Sequence, residues 1–199
     1  MEIIKFWNQE ILNWTKKSYD SPNKNFQPII ARKKIAESLL DRANKPLRIL
    51  EVGCGCTQIS PSKYKSYLGI DSAEKAISLN KRNYSENVNV KFIHKRIKDL
   101  STEDLKDYNL ILSLGVIDWI EDNEVKKLFE LSKDKLFIHS FSNKNKSLQQ
   151  LAYKVFKKLI QRKPIPNFHS KQFIQSNLKN SRLISSREMK FCTIVTNIN

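Results

Sequence analysis

Between Arg48 and Asp71 the chain reads RILEVGCGCTQISPSKYKSYLGID. The acid Glu51 is followed by glycines at 53 and 55, with Cys54 between them, and a second acid, Asp71, closes the stretch. Glycine lets a backbone come close to a bulky ligand. A carboxylate at the tip of a strand can accept hydrogen bonds from both hydroxyls of a ribose. The apolar run Ile49 to Val52 predicts one strand and Tyr67 to Ile70 a second. Strand, glycine turn, crossover and acid-tipped strand make half of a nucleotide-binding α/β unit. The spacing excludes two common phosphate sites. A GxGxxG turn needs a glycine where Gln58 stands, and a P-loop needs Lys-Ser or Lys-Thr after its last glycine.

The elements that must position this stretch follow from hydrophobic periodicity. Residues 1–17 predict an amphipathic helix with Ile3, Ile4, Trp7, Ile11 and Trp14 on one face, and 28–42 predict a second. Pro61 limits any crossover helix to two turns. Ser72 is the expected N-cap of a helix over 73–83. Strands are predicted at 88–94, 110–116 and 135–140, with a helix over 123–131 between the last two. Residues 148–162 predict a basic amphipathic helix of about four turns. Leu148, Leu151, Val155 and Leu159 share its apolar face, and Lys154, Lys157, Lys158 and Arg162 the other. Ser170 should cap a last helix, 171–178, before strands at 182–186 and 190–196. Ligands of open α/β sheets bind outside the carboxyl ends of the strands. That is the side where His139 and His169 fall.

Glu51, Gly53, Gly55 and Asp71 together resemble motif I of the class I S-adenosylmethionine-dependent methyltransferases, E/D-x-G-x-G-x-G, and that family's acid on the second strand. Thr57 stands where the third glycine falls. About 150 residues from Arg48 onward follow the family's order. The segment Gly115 to Asp122 and the His-Ser-Phe at 139–141 are most similar to its small-molecule O-methyltransferase branch. The resemblance implies a Rossmann-like α/β fold: a seven-stranded, mostly parallel sheet with helices on both faces and a C-terminal antiparallel hairpin. It implies S-adenosyl-L-methionine as cofactor and methyl transfer by in-line displacement to a small-molecule acceptor, an oxygen nucleophile in the expected case.

Cofactor contacts are implied at Glu51, Gly53, Cys54, Gly55, Asp71 and Ser72, and at Ser113, Leu114 and Gly115 near the methionine end. Around the adenine the family acid aligns with Arg96, which leaves Asp99 or the Ile97 backbone to serve. Asp118 and Trp119 fall where small-molecule members border the substrate. N-terminal helices of such enzymes cap the cleft, which implies that Tyr19 and Phe26 line it. Alignment supplies much of the rate of such a transfer. A base is needed only for an acceptor that is protonated at neutral pH. His139, His169 and Asp118 are the candidates, the two imidazoles also as substrate contacts. No Asp/Asn-Pro-Pro-Tyr follows the fourth strand, which argues against adenine and glutamine N-methylation. Cys54 belongs to the turn, which argues against a paired-cysteine attack on pyrimidines.

Composition bounds the rest. The 199 residues suit one domain, read as a helical cap (1–44), a cofactor-binding core (45–140), a basic insertion or lid (141–169) and a final helix with strands (170–199). The 36 basic and 20 acidic side chains leave a net charge of +16, a field that favours anionic partners. An acidic or lipid-linked small molecule fits it, peripheral contact with an anionic membrane fits it, and an RNA methyltransferase is the alternative. A non-catalytic, methyltransferase-like interaction protein is the other alternative. No run of eighteen apolar residues occurs, the N-terminus does not read as a signal peptide, and the three cysteines suggest a reduced, cytoplasmic chain without a metal site.

Overall fold

The computed structural model describes residues 2–17, 27–43, 45–56, 59–145, 147–161 and 163–199. Tyr19, Phe26, Thr57, Gln58 and Arg162 lie outside the described residues. Seven strands form one sheet: β1 (Arg48–Val52), β2 (Ser66–Asp71), β3 (Val90–His94), β4 (Leu110–Ser113), β5 (Leu136–Ser142), β6 (Arg182–Ile184) and β7 (Cys192–Thr196). Their order is β3-β2-β1-β4-β5-β7-β6. The first five are parallel, and β7 runs antiparallel to both β5 and β6. This is the mostly parallel sheet with a closing antiparallel hairpin that the resemblance implies.

The helices are α1 (Glu2–Lys17), α2 (Gln27–Arg42), α3 (Glu74–Asn83), α4 (Thr102–Leu105), α5 (Asp122–Ser132), α6 (Leu148–Val155) and α7 (Lys171–Asn177). Alternation along the strands divides the core. Ile49, Tyr67, Leu110, Ile138 and Ile194 pack on one face with Ala36, Leu39 and Leu40 of α2. Leu50, Leu68, Ile111, Phe137 and Val195 pack on the other with Val125, Leu128 and Phe129 of α5 and Ile174 of α7. Strands covered on both faces read as continuous apolar runs, which is why they are visible in the sequence.

Local differences from expectation have identifiable causes. The fourth strand stops at Ser113, three residues early, because Gly115 turns the chain at φ +82°. Ser72 does not cap the third helix. Ala73 holds that position without a side-chain cap, and its N–H donates to the Asp71 carboxylate at 2.7 Å, a turn that leads into the helix. Ser170 does cap α7, accepting from the Phe173 N–H. The basic helix continues past Val155 as a single π-helical stretch, Phe156–Ile160.

His139 belongs to the interior. It is fully buried, stacks on Phe137 at 5.2 Å, and has a hydroxyl against each ring nitrogen. Ser132 donates to the Leu128 carbonyl at 2.7 Å, so its oxygen accepts from His139 Nε2–H at 3.0 Å. That leaves Nδ1 to accept from the Ser113 hydroxyl at 2.8 Å. Burial pushes the imidazole pKa down to about 3. Replacing Ser113 by Ala should leave Nδ1 unpaired and cost about 1–3 kcal/mol in chemical denaturation. The folded imidazole refuses a proton that the unfolded one accepts below about pH 6.5. Stability should therefore fall as pH drops from there toward 3, and His139→Gln should flatten that slope.

Candidate active site

The loop after β1 builds one wall of the site. Gly53 sits at φ +65°, and a Cβ there would lie 2.1 Å from a Val116 methyl, so only glycine permits this turn against the β4 loop. The Cys54 N–H donates to the Ile70 carbonyl at 3.0 Å, which joins the loop to β2. Asp71 then ties three segments together. Its carboxylate accepts from the Gly55 N–H at 2.8 Å and from the Ala73 N–H at the start of α3. From α3, the Asn80 amide donates back to the Gly55 carbonyl at 2.7 Å. Burial pushes the Asp71 carboxyl above its ordinary pKa, while these amides favour the charged form.

A cavity of about 1220 Å³ opens over this knot at the carboxyl ends of the strands. Of the residues implied by the resemblance, Gly53, Cys54, Gly55, Asp71, Ser72, Ile97, Leu114 and Gly115 line it, as do Asp118 and Trp119. Glu51, Ser113, Asp99, His139 and His169 do not. Ser113 faces the buried His139, and Asp99 is exposed on the short turn after β3. His169 is 7% exposed and directs Nε2 at the Ile117 carbonyl, 3.3 Å away. Both imidazoles expected as bases are thus held by the protein itself, away from the cavity surface.

Glu51 is wholly buried, and the Tyr67 hydroxyl donates to its Oε2. Its Oε1 has no partner among the described residues. Burial pushes this carboxyl up to about 8, so at neutral pH it is an acid holding its proton.

The residues for which the resemblance implies an adenine contact sit differently from expectation. Arg96 lines the cavity and pairs at 3.5 Å with Glu124, from the first turn of α5. Glu124 also lines it and is only 6% exposed. Another part of the wall is apolar and aromatic. Trp119 packs on Phe6 at 6.3 Å and edge-on to Trp7 at 5.1 Å, both from α1. Lys163 bonds Glu10 of α1 at 2.9 Å, which fastens the 163–169 segment to the same helix. Asp118 holds the floor. Its carboxylate accepts from the Ser142 N–H at 2.7 Å and hydroxyl at 2.6 Å, and its carbonyl accepts from the Asn167 N–H at 2.8 Å. Burial pushes its carboxyl up, against those hydrogen bonds. Among the described residues, five cations, Arg32, Lys95, Arg96, Arg187 and Lys190, line the cavity against three carboxylates, Asp71, Asp118 and Glu124. Sequence reading missed Arg32, Glu124, Arg187 and Lys190, because they come from α2, α5 and the β6–β7 loop and stand in no motif.

A family model described as a methyltransferase domain matches residues 49–136, from β1 to the start of β5. The magnesium protoporphyrin IX methyltransferase from Synechocystis PCC 6803, with bound S-adenosylhomocysteine, is similar in structure at 17% identity and a TM-score of 0.71. That match covers 98% of this chain and 96% of the other. The N-methyltransferase NodS from Bradyrhizobium japonicum WM9, also with S-adenosylhomocysteine, is similar at 13% identity and a TM-score of 0.65, covering 98% and 96%. The PH0226 protein from Pyrococcus horikoshii OT3 is similar at 20% identity and 0.63, covering 94% and 96%. No curated protein matches. The matched segment is a methyltransferase domain, and the seven-stranded sheet that contains it has the Rossmann-like methyltransferase fold of these structures.

The Glu51 carboxyl keeps its proton in the folded state up to about pH 8 and loses it near 4.5 when unfolded. Its contribution to stability is therefore complete below about pH 4.5 and is lost as pH rises through 8. Glu51→Gln, a mimic of the protonated acid, should be near neutral for stability at pH 5 and stabilising at pH 8.5, as read from thermal unfolding at the two pH values.

Proposed function

We propose that the chain transfers a methyl group from S-adenosylmethionine to an oxygen of an acidic small molecule with a large apolar body. The observation that carries the reading is the cavity itself: basic side chains set among aromatic and aliphatic walls, with no imidazole at its surface among the described residues. Its volume exceeds what one ordinary ligand needs, which leaves room for a cofactor and an acceptor together.

The residues present fit the cofactor. Gly53 keeps the turn free of a side chain, and Asp71 offers carboxylate lone pairs to the ribose hydroxyls at the cavity floor. The loop at Leu114 and Gly115 borders the methionine end. Glu124 takes the adenine amino group, replacing the acid that the family places after β3. Its pairing with Arg96 orients it. Bound there, the cofactor supplies an electrophilic methyl carbon on a sulfonium.

The rest of the work is positioning. Trp7 and Trp119 hold the apolar body, and Arg32, Arg187 and Lys190 attract the acidic group. An acceptor carboxylate arrives ionised at neutral pH and needs no base, which suits a site whose imidazoles are sequestered. For an acceptor that does carry a proton, Asp118 is the carboxylate at the cavity surface nearest the described aromatic cluster. In this reading residues 1–44 act as the cap and 141–169 as the lid.

Calorimetric titration with S-adenosylmethionine and S-adenosylhomocysteine tests the cofactor site. Micromolar binding is expected. Asp71→Ala should weaken it about a hundredfold or more, the worth of two hydrogen bonds to a charged group at about 1.5 kcal/mol each. Glu124→Gln should weaken it about tenfold, one such bond. Absence of binding by the unaltered chain would refute the enzyme reading. Turnover with a neutral alcohol and none with carboxylic acids would refute the acidic acceptor.

A further inference from the structure

Helix α6 and its π-helical continuation are turned the opposite way from an ordinary surface helix. Several polar positions face the protein. Gln150 is buried, accepting from the Asn145 N–H and donating to the Asn143 carbonyl, while Lys154 lies 4.8 Å over the Phe168 ring. The apolar positions face solvent. Leu148 is 84% exposed, Leu159 68% and Ile160 70%, and Leu151, Val155 and Phe156 complete the stripe. A normal amphipathic helix buries its apolar side, so this arrangement leaves the side with most to gain from leaving water still in it. Contiguous exposed apolar surface of this kind marks an interaction site.

The charge around the stripe selects the partner. From Lys135 to Arg187 the sequence contains no Asp or Glu and twelve Lys or Arg. Two of them, Lys144 and Lys158, are exposed beside or on the helix. A second copy of the chain would bring the same uncompensated charge against this one. An anionic lipid surface satisfies both features: acyl chains take the apolar stripe and headgroups take the cations. No described helix is long and apolar enough to cross a membrane, so the contact is peripheral. We propose that Leu148–Ile160 is an interfacial helix that docks the protein on anionic membranes. Ala152 and Phe156 belong both to this helix and to the cavity wall, so docking would set the cavity rim at the lipid surface. The proposal rests on exposure and charge and is independent of which acceptor is methylated.

The test is co-sedimentation of the full chain with phosphatidylcholine vesicles, with and without about one third phosphatidylglycerol, at low and physiological salt. The chain should pellet with the anionic vesicles about tenfold or more better than with the neutral ones, and less well as salt rises. Leu151→Ser with Leu159→Ser, both at exposed positions, should lose about tenfold of that binding with an unchanged unfolding midpoint. Lys144→Glu with Lys158→Glu should lose a similar amount. Three results would overturn the proposal. The chain could stay in the supernatant with anionic vesicles at low salt. The serine variant could pellet as well as the parent, which would make the attraction one of diffuse charge alone. The parent could elute as a dimer that the serine substitutions convert to a monomer, which would give the stripe to a second copy.

Discussion

One carboxylate holds the site together. Asp71, at the end of β2, accepts hydrogen bonds from the loop after β1 and from the first amide of the following helix segment. The glycine loop and the β2–α3 junction, separate in sequence, meet at its two oxygen atoms. The glycine loop can lie close to β2 because Gly53 turns with a positive φ and offers no Cβ to Val116. The β4 loop can in turn close against that glycine, and its own turn at Gly115 is fixed by an N–H bond to the Ser140 hydroxyl at 2.7 Å. The cavity floor is thus backbone, oriented by one acid and a few short side chains. Such a floor presents amides and a carboxylate to a ligand without needing to rearrange.

The polar residues split into two populations that look alike in the sequence. Glu51 and His139 are as chemically capable as any in the chain, yet each is wholly buried and engaged with a hydroxyl partner. Burial drives each toward its neutral form, the acid protonated and the imidazole unprotonated. Asp71, Asp118 and Glu124 instead reach the cavity and are held by amides, a hydroxyl or a guanidinium. The two wholly buried groups serve the core, and the other three carboxyls border the cavity.

The upper wall is assembled from the sequence extremes of the chain. Helix α1 contributes Phe6 and Trp7 to an aromatic cluster with Trp119, and the Glu10–Lys163 pair joins it to the segment after α6. The same segment pins itself to the floor through Asn167 and the Asp118 carbonyl. Helix α6 is therefore tethered at both ends, with its polar side inward, and cannot roll its apolar side onto the core.

Much of the fold was legible because parallel strands covered on both faces must be apolar along their length, and because a glycine turn between an apolar run and an acid-tipped strand has few other uses. The floor of the site, Gly53 to Gly55 with Asp71, was legible for the same reason. Residues assigned by their place along a strand fared worse. Ser113 and His139 stand at the carboxyl ends of β4 and β5, as a ligand site requires, but their side chains point into the core. Side-chain direction depends on register and packing, which a one-residue shift reverses. Glu124 and the cations of the cavity had no signal, since residues brought together from α2, α5 and the β6–β7 loop share no spacing. The hydrophobic pattern identified an amphipathic helix at 148–160, but amphipathicity does not say which side is buried. The sequence by itself determined the sheet, the glycine turn and the acid at the end of β2, because those follow from local backbone and burial rules. Only the tertiary structure decided which charged groups border the cavity and which way the basic helix faces, because those depend on contacts between distant segments.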